Sequence, residues 1–189
     1  MQRSWRQDAD KLTFIACTSS ETHYKSRHEI VANGDDDAPE KMLGDINLFL
    51  HESHDDESDQ ETDAAQQPKR LVGEVEIMIA RKGLHGQGYG FEVLQTFLWY
   101  LVAYIDEIML EYCQGHQISE LGVQWKYLRV RIGKDNTRST RLFERVGFCK
   151  VSDEPNYFGE IELRMQLGLG RPGELQARLK KLQAQDDLS

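Results

Sequence analysis

Positive charge is in short supply in this chain. Against 32 aspartates and glutamates stand 23 lysines and arginines, a formal net charge of −9. That balance argues against a nucleic-acid surface, because phosphate binding needs a basic footprint. Cysteine is scarce as well. Cys17, Cys113 and Cys149 lie far apart with no CxxC spacing, which reads as free thiols in a reducing compartment. The N-terminal stretch MQRSWRQDADK has no apolar centre and does not read as a secretory signal. No apolar run reaches the length of a membrane span, since Asp106 and Glu107 interrupt the longest one. The expectation is a cytoplasmic protein, able also to enter the nucleus, that binds neither nucleic acid nor membrane.

Apolar periodicity is missing from the acidic residues 33–42, and large apolar residues are missing from the acidic residues 51–69. Neither can bury enough surface to offset its ordering entropy, so both read as mobile loop insertions. His51-x-x-His54 in the second lacks the fixed surroundings a ligand set needs, and no metal is expected. What remains of the 189 residues suits one domain with a hydrophobic core. Residues 1–168 form that domain in this reading, and 169–189 a polar tail that could be helical.

The apolar segments fall into a clear order. LTFIAC, LGDINLFL and LVGEVEIMIA read as three strands, simplest as an antiparallel meander. A glycine-rich turn follows, then a helix whose stripe is Phe91, Leu94, Leu98, Leu101, Ile105, Ile108 and Tyr112, with Gly115 as its end. YLRVRIG reads as a strand, DNTRSTRLFERVGF as a short amphipathic helix closing at Gly147, and FCKVS and GEIELRMQL as two strands. The fold class is α/β, a mixed sheet with helices against its faces.

Chemistry concentrates in the turn LHGQGYG. Glycines at 86, 88 and 90 weaken the start of the longest helix by up to about 1 kcal/mol each. Unpaired amides and the positive end of the helix dipole make such a turn an anion site. The spacing is not GxxxxGK[ST], and it is GxGxG where a dinucleotide loop needs GxGxxG. Upstream, Glu74 and Glu76 stand two apart in a strand and share a face with Met78. A carboxylate there could deprotonate an amine, a step costing on the order of 1 kcal/mol for an α-amine and about 4 to 5 for lysine at neutral pH. Glu74 is the first candidate, and two solvent-facing glutamates are the plain alternative.

Gly86-Gln87-Gly88-Tyr89-Gly90, after a strand and before a helix, resembles the acetyl-coenzyme A loop of the GNAT superfamily of N-acetyltransferases, written Q/R-x-x-G-x-G/A. His85 stands where Gln or Arg is usual. Asn136-x-x-Ser139, followed by Leu142-Phe143-Glu144-Arg145-Val146-Gly147-Phe148, resembles the family's second motif. SWRQDADKLTFIA, LGDINLFL, GEVEIMIA and NTRSTRLFERVGF resemble its N-acetyltransferase 9-like branch.

This resemblance implies a GNAT-like fold lacking most of the family's N-terminal strand and helices. It implies acetyl-CoA as co-substrate, held by Met78, Ile79, Ala80, His85, Gly86, Gln87, Gly88, Tyr89, Gly90, Asn136 and Ser139. Glu74, Glu76 and Ser139 are its candidate catalytic residues, and Phe143 stands where the family often has a tyrosine acid. The implied acceptor is an amine of a protein or peptide. A degenerate fold that binds CoA or a partner without turnover is the alternative. An exposed sheet edge left by the missing lobe would permit self-association.

Overall fold

The computed structural model describes residues 8–18, 38–53, 69–119 and 122–167. Most of both acidic insertions, His54 and the tail from 169 lie outside these residues.

Among the described residues six strands form one sheet in the order β1-β2-β3-β4-β6-β5. β1 (Lys11–Cys17), β2 (Met42–Glu52) and β3 (Lys69–Ile79) make the expected antiparallel meander. Helix α1 (Tyr89–His116) then crosses to β4 (Val123–Gly133), which runs parallel to β3. Helix α2 (Thr137–Val146) leads to β5 (Cys149–Lys150) and β6 (Glu160–Met165), with β6 antiparallel to β4. The β3-α1-β4 crossover is the parallel unit that a mixed α/β sheet requires. Among the described residues the sheet carries two helices, as the α/β reading expected.

Alternation along each strand decides where the core sits. Ile46, Leu48 and Leu50 of β2, Leu71 and Val75 of β3, and Leu128, Val130 and Ile132 of β4 are buried on one face. α1 covers that face with Leu94, Leu98, Leu101, Ile105, Ile108 and Tyr112, the expected stripe, while Phe91 is half-buried. α2 adds Phe143 and Val146. The opposite face is polar: Thr13 donates to Asn47 and Asn47 to Asp45, and Arg131 and Arg164 flank Glu162.

Several boundaries differ from the sequence reading, each for a local reason. α1 does not stop at Gly115. It runs to His116 and is capped by Gln117 in the left-handed region at φ 56°. Gly115 is instead a contact point, where a Cβ would overlap that of Ala9. Beside it the His116 ring Nε2 meets Asp10 Oδ1 at 2.5 Å, tying the chain before β1 to the end of α1. Within α1, Tyr104 sits at a non-helical kink and is 47% exposed. The strand read from FCKVS shrinks to Cys149–Lys150. The insertions are narrower than expected, because Met42, His51, Glu52 and Lys69 belong to strands. α1 is also long and apolar enough to cross a bilayer by length and composition, against the expectation that no segment is. Its apolar stripe is used against the sheet.

Candidate cofactor and acceptor site

The site begins where two parallel strands part. Pairing between β3 and β4 ends at Glu74 opposite Arg129. β3 continues to Ile79, still paired to β2, and β4 continues to Gly133, paired to β6. Held from their outer sides, the two strands splay and leave the edge from Val75 to Ile79 facing a gap. Backbone amides and carbonyls along such a gap are available to an extended ligand.

Beyond the splay the glycine loop turns into α1. Gly86 and Gly88 have φ of 78° and 92°, and Gly88 is the left-handed N-cap of the helix. Only glycine adopts that conformation without strain. A Cβ at either position would meet nothing within 4 Å, so the loop borders open space. Gly90 differs: its Cβ position lies 3.5 Å from Leu142, which brings α2 against the start of α1. The amides of Gly88, Tyr89 and Gly90 have no acceptor among the described residues. That is a cradle of orphan donors at the positive end of a long helix, and it fits a phosphate group.

α2 supplies the other wall. Asn136 is its N-cap, and its Oδ1 accepts from the Ser139 amide at 3.2 Å. The Asn-x-x-Ser spacing therefore first builds a helix start. It also brings Ser139, half-buried, to the cleft.

A cleft of about 540 Å³ joins these parts. Of the cofactor residues expected from sequence, Met78, Ile79, His85, Gly86, Gly88, Gly90, Asn136 and Ser139 line it. Ala80, Gln87 and Tyr89 do not. The Ala80 amide donates to Leu43, and the Gln87 side chain folds back to donate to Gly83. The His85 ring Nε2 lies 2.7 Å from the Ile79 carbonyl, so that nitrogen braces the loop. Ile77, Leu84, Phe91, Arg138, Arg141 and Leu142 also line the cleft and were missed. The signal for Arg138 and Arg141 was present in the short helix, where they stand three residues apart on one face.

Glu74 and Glu76 both lie on the opposite face, as their spacing requires. Glu74 marks the apex of the splay, with its side chain 13% exposed. Its Oε2 accepts from Arg129 Nε at 2.7 Å and lies 2.7 Å from Nη2, a two-pronged pair. Arg131 and His51 stand 3.8 Å from the same oxygen. Glu76, one step into the splayed segment, is exposed and makes no ion pair among the described residues. It faces Asn47 across the β2–β3 ladder.

A second cavity, of about 550 Å³, is lined by His51, Val72, Tyr112, Tyr127, Arg129 and Arg131. Burial, then the charge of Arg129, lowers the pKa of His51 from its ordinary value. Burial pushes the Tyr112 hydroxyl up to about 12, so it stays neutral at neutral pH. Phe143, in the family's tyrosine position, is fully buried, edge-on to Phe148 at 5.1 Å.

A parting between two parallel strands, closed by a glycine cradle and a capped second helix, is the layout of an acyl-coenzyme A transferase fold. The family profile described as acetyltransferase (GNAT) domain matches residues 2–149, and the chain belongs to that family. It is 32% identical over 175 residues to an N-acetyltransferase 9-like protein of Schizosaccharomyces pombe, covering 87% of this chain and 74% of the relative. It is 33% identical over 172 residues to alpha/beta-tubulin-N-acetyltransferase 9 of Drosophila melanogaster, covering 91% of this chain and 64% of the relative. With the human protein of that name identity is 28% over 167 residues, covering 87% of this chain and 60% of the relative. The chain thus spans less than two thirds of these two tubulin N-acetyltransferases. Among solved structures, AtaTR bound with AcCoA aligns at TM-score 0.49 and 15% identity, covering 87% of this chain and 74% of that one. A domain from Methanocaldococcus jannaschii aligns at TM-score 0.47 and 17% identity, covering 87% and 71%.

Proposed function

We propose that this chain is an N-acetyltransferase that moves an acetyl group from acetyl-coenzyme A to an amine of a protein or peptide. The observation that carries the reading is the strand parting at Glu74 and Arg129, continuous with the cradle of orphan amides at Gly88, Tyr89 and Gly90. The cradle and the backbone of Met78 and Ile79 would hold the cofactor, and Asn136 and Ser139 would flank it. When bound, acetyl-coenzyme A supplies an acetyl thioester to the acceptor amine.

The amine must arrive neutral, and a group on the far side of the parting has to take its proton. Glu76 is better placed for this than Glu74, because its carboxylate is exposed and outside the arginine pair. Glu74 then serves as a positioning residue that fixes the apex with Arg129. Ser139 lines the cleft from α2 and is the candidate for giving a proton to the departing thiolate. The tubulin N-acetyltransferase names of two relatives support a protein acceptor, and an N-terminal α-amine is the easier to deprotonate.

A second reading, cofactor binding without turnover, is favoured by one observation: Phe143 is core and offers no phenol to the site. Calorimetry with acetyl-coenzyme A, followed by mass spectrometry of a peptide library incubated with both, separates the two. Binding with peptide acetylation supports the enzyme. Binding without it supports the second reading, and no binding rejects both.

A further inference from the structure

Most arginines of this fold are spoken for. Arg81 donates to the Pro39 carbonyl, Arg129 holds Glu74, Arg131 and Arg164 flank Glu162, and the Arg145 guanidinium lies 4.1 Å over the Phe91 ring. Arg70 also has a partner. Among the described residues, Arg138 and Arg141 are the arginines with none, and both are exposed. They stand three apart on α2 and line the same cleft as the glycine cradle. In a chain of net charge −9, two unpaired guanidinium groups gathered at one cleft raise the local potential for an anion where the rest of the surface opposes it.

We propose that Arg138 and Arg141 form a second anion subsite, for the ribose 3′-phosphate of coenzyme A. This rests on the cleft being the cofactor site. Coenzyme A carries two separate anionic groups, a pyrophosphate and the 3′-phosphate. The cradle at Gly88, Tyr89 and Gly90 provides amides for one of them. The second needs cations, and Arg138 and Arg141 bring two of them to the same cleft. Planar guanidinium forks on the facing wall match a phosphate in two-pronged geometry. The subsite therefore sets a preference for coenzyme A over its 3′-dephospho form and leaves the pantetheine end untouched.

The test is calorimetric titration of the wild-type chain and the Arg138→Ala, Arg141→Ala double variant with coenzyme A and with 3′-dephospho-coenzyme A. Both arginines are exposed, and circular dichroism checks that the variant folds. The wild type should bind coenzyme A about tenfold or more tighter than the dephospho form, as expected for charge-assisted hydrogen bonds. The double variant should bind the two alike, with its dephospho affinity unchanged. Equal binding of both ligands by the wild type overturns the subsite but keeps the cleft as cofactor site, as does a variant that retains the preference. Binding of neither by the wild type overturns both readings.

Discussion

Glu74 and Arg129 form the last paired rung between β3 and β4, joined by two contacts of 2.7 Å, and the sheet opens immediately beyond them. Both side chains are mostly buried, at 13% and 16% exposure. An ion pair so placed is costly to break from one side, because the remaining charge keeps its burial and loses its partner.

The two glutamates of β3 should therefore fail in different ways. Glu74→Gln is expected to lower stability by about 2 to 3 kcal/mol in urea denaturation. Glu76→Gln should leave stability within about 0.5 kcal/mol, as an exposed substitution does. In a peptide acetylation assay Glu76→Gln should lower kcat with little change in the acetyl-coenzyme A KM, since the cradle is untouched. If Glu74→Gln proves fully stable yet inactive, Glu74 is the base and the division of roles is wrong.

The glycine cradle makes a second prediction. Gly88 is left-handed and borders open space, so a side chain there meets backbone strain and projects toward the ligand. Gly88→Glu adds a negative charge where a phosphate is expected, and binding of acetyl-coenzyme A should disappear in calorimetry. Gly44→Ala provides the contrast, because a Cβ there would overlap the Met78 carbonyl oxygen and force β2 from β3. It should destabilise the fold broadly. Unchanged affinity in a folded Gly88→Glu chain would remove the loop from the site.

His51 predicts a pH dependence of stability. Its pKa is lowered in the fold by burial and by Arg129, against the opposing pull of Glu74. As pH falls, the unfolded chain takes up this proton first, near its ordinary value of about 6.5. The contribution is thus complete above that value and is lost as pH falls through the folded one. Tm measured from about pH 8 down to 5 for wild type and His51→Gln should show the wild type losing its relative advantage on acidification. A difference that stays constant across the range would show that His51 is not the group responsible.

Most of this fold could be read from the chain because its signals are local. Alternation in LGDINLFL and GEVEIMIA marked β2 and β3 with their buried faces, and the period of the Phe91 to Tyr112 stripe marked α1. The placing of Glu74 and Glu76 on one face followed from strand geometry alone. Their chemical difference did not, because Arg129 reaches Glu74 from a strand 55 residues away. The same holds for Gly115, whose neighbour Ala9 comes from the far end of the chain, and for Gln87, whose side chain folds into its own turn. Gly88 and Gly90 looked alike in sequence, yet one sets a backbone conformation and the other lets α2 approach.

The outer edge of β1 makes the last prediction. β1 ends the sheet, and among the described residues no strand pairs with its free side. An edge strand that avoids association carries charges, prolines or bulges along its length. From Leu12 to Cys17 this one has neither charge nor proline, and its irregularity lies at the last step, between Ala16 and Cys17. Phe14 and Ile15 are 37% and 55% exposed. Paired antiparallel with a second copy about Phe14, the strand would set Leu12 opposite Ala16, Thr13 opposite Ile15 and Phe14 opposite itself, with no like charges facing. The chain should therefore self-associate as concentration rises in sedimentation velocity. Ile15→Lys should shift it to monomer without unfolding it, because Ile15 is itself exposed and lies on the face away from α1. Phe14 is a poorer probe, since its ring also packs against Phe97 and Tyr100 at 5.8 and 4.9 Å. A wild-type chain that stays monomeric at high concentration sinks the idea. A monomeric wild type that Ile15→Lys destabilises would instead place another segment of the same chain on this edge.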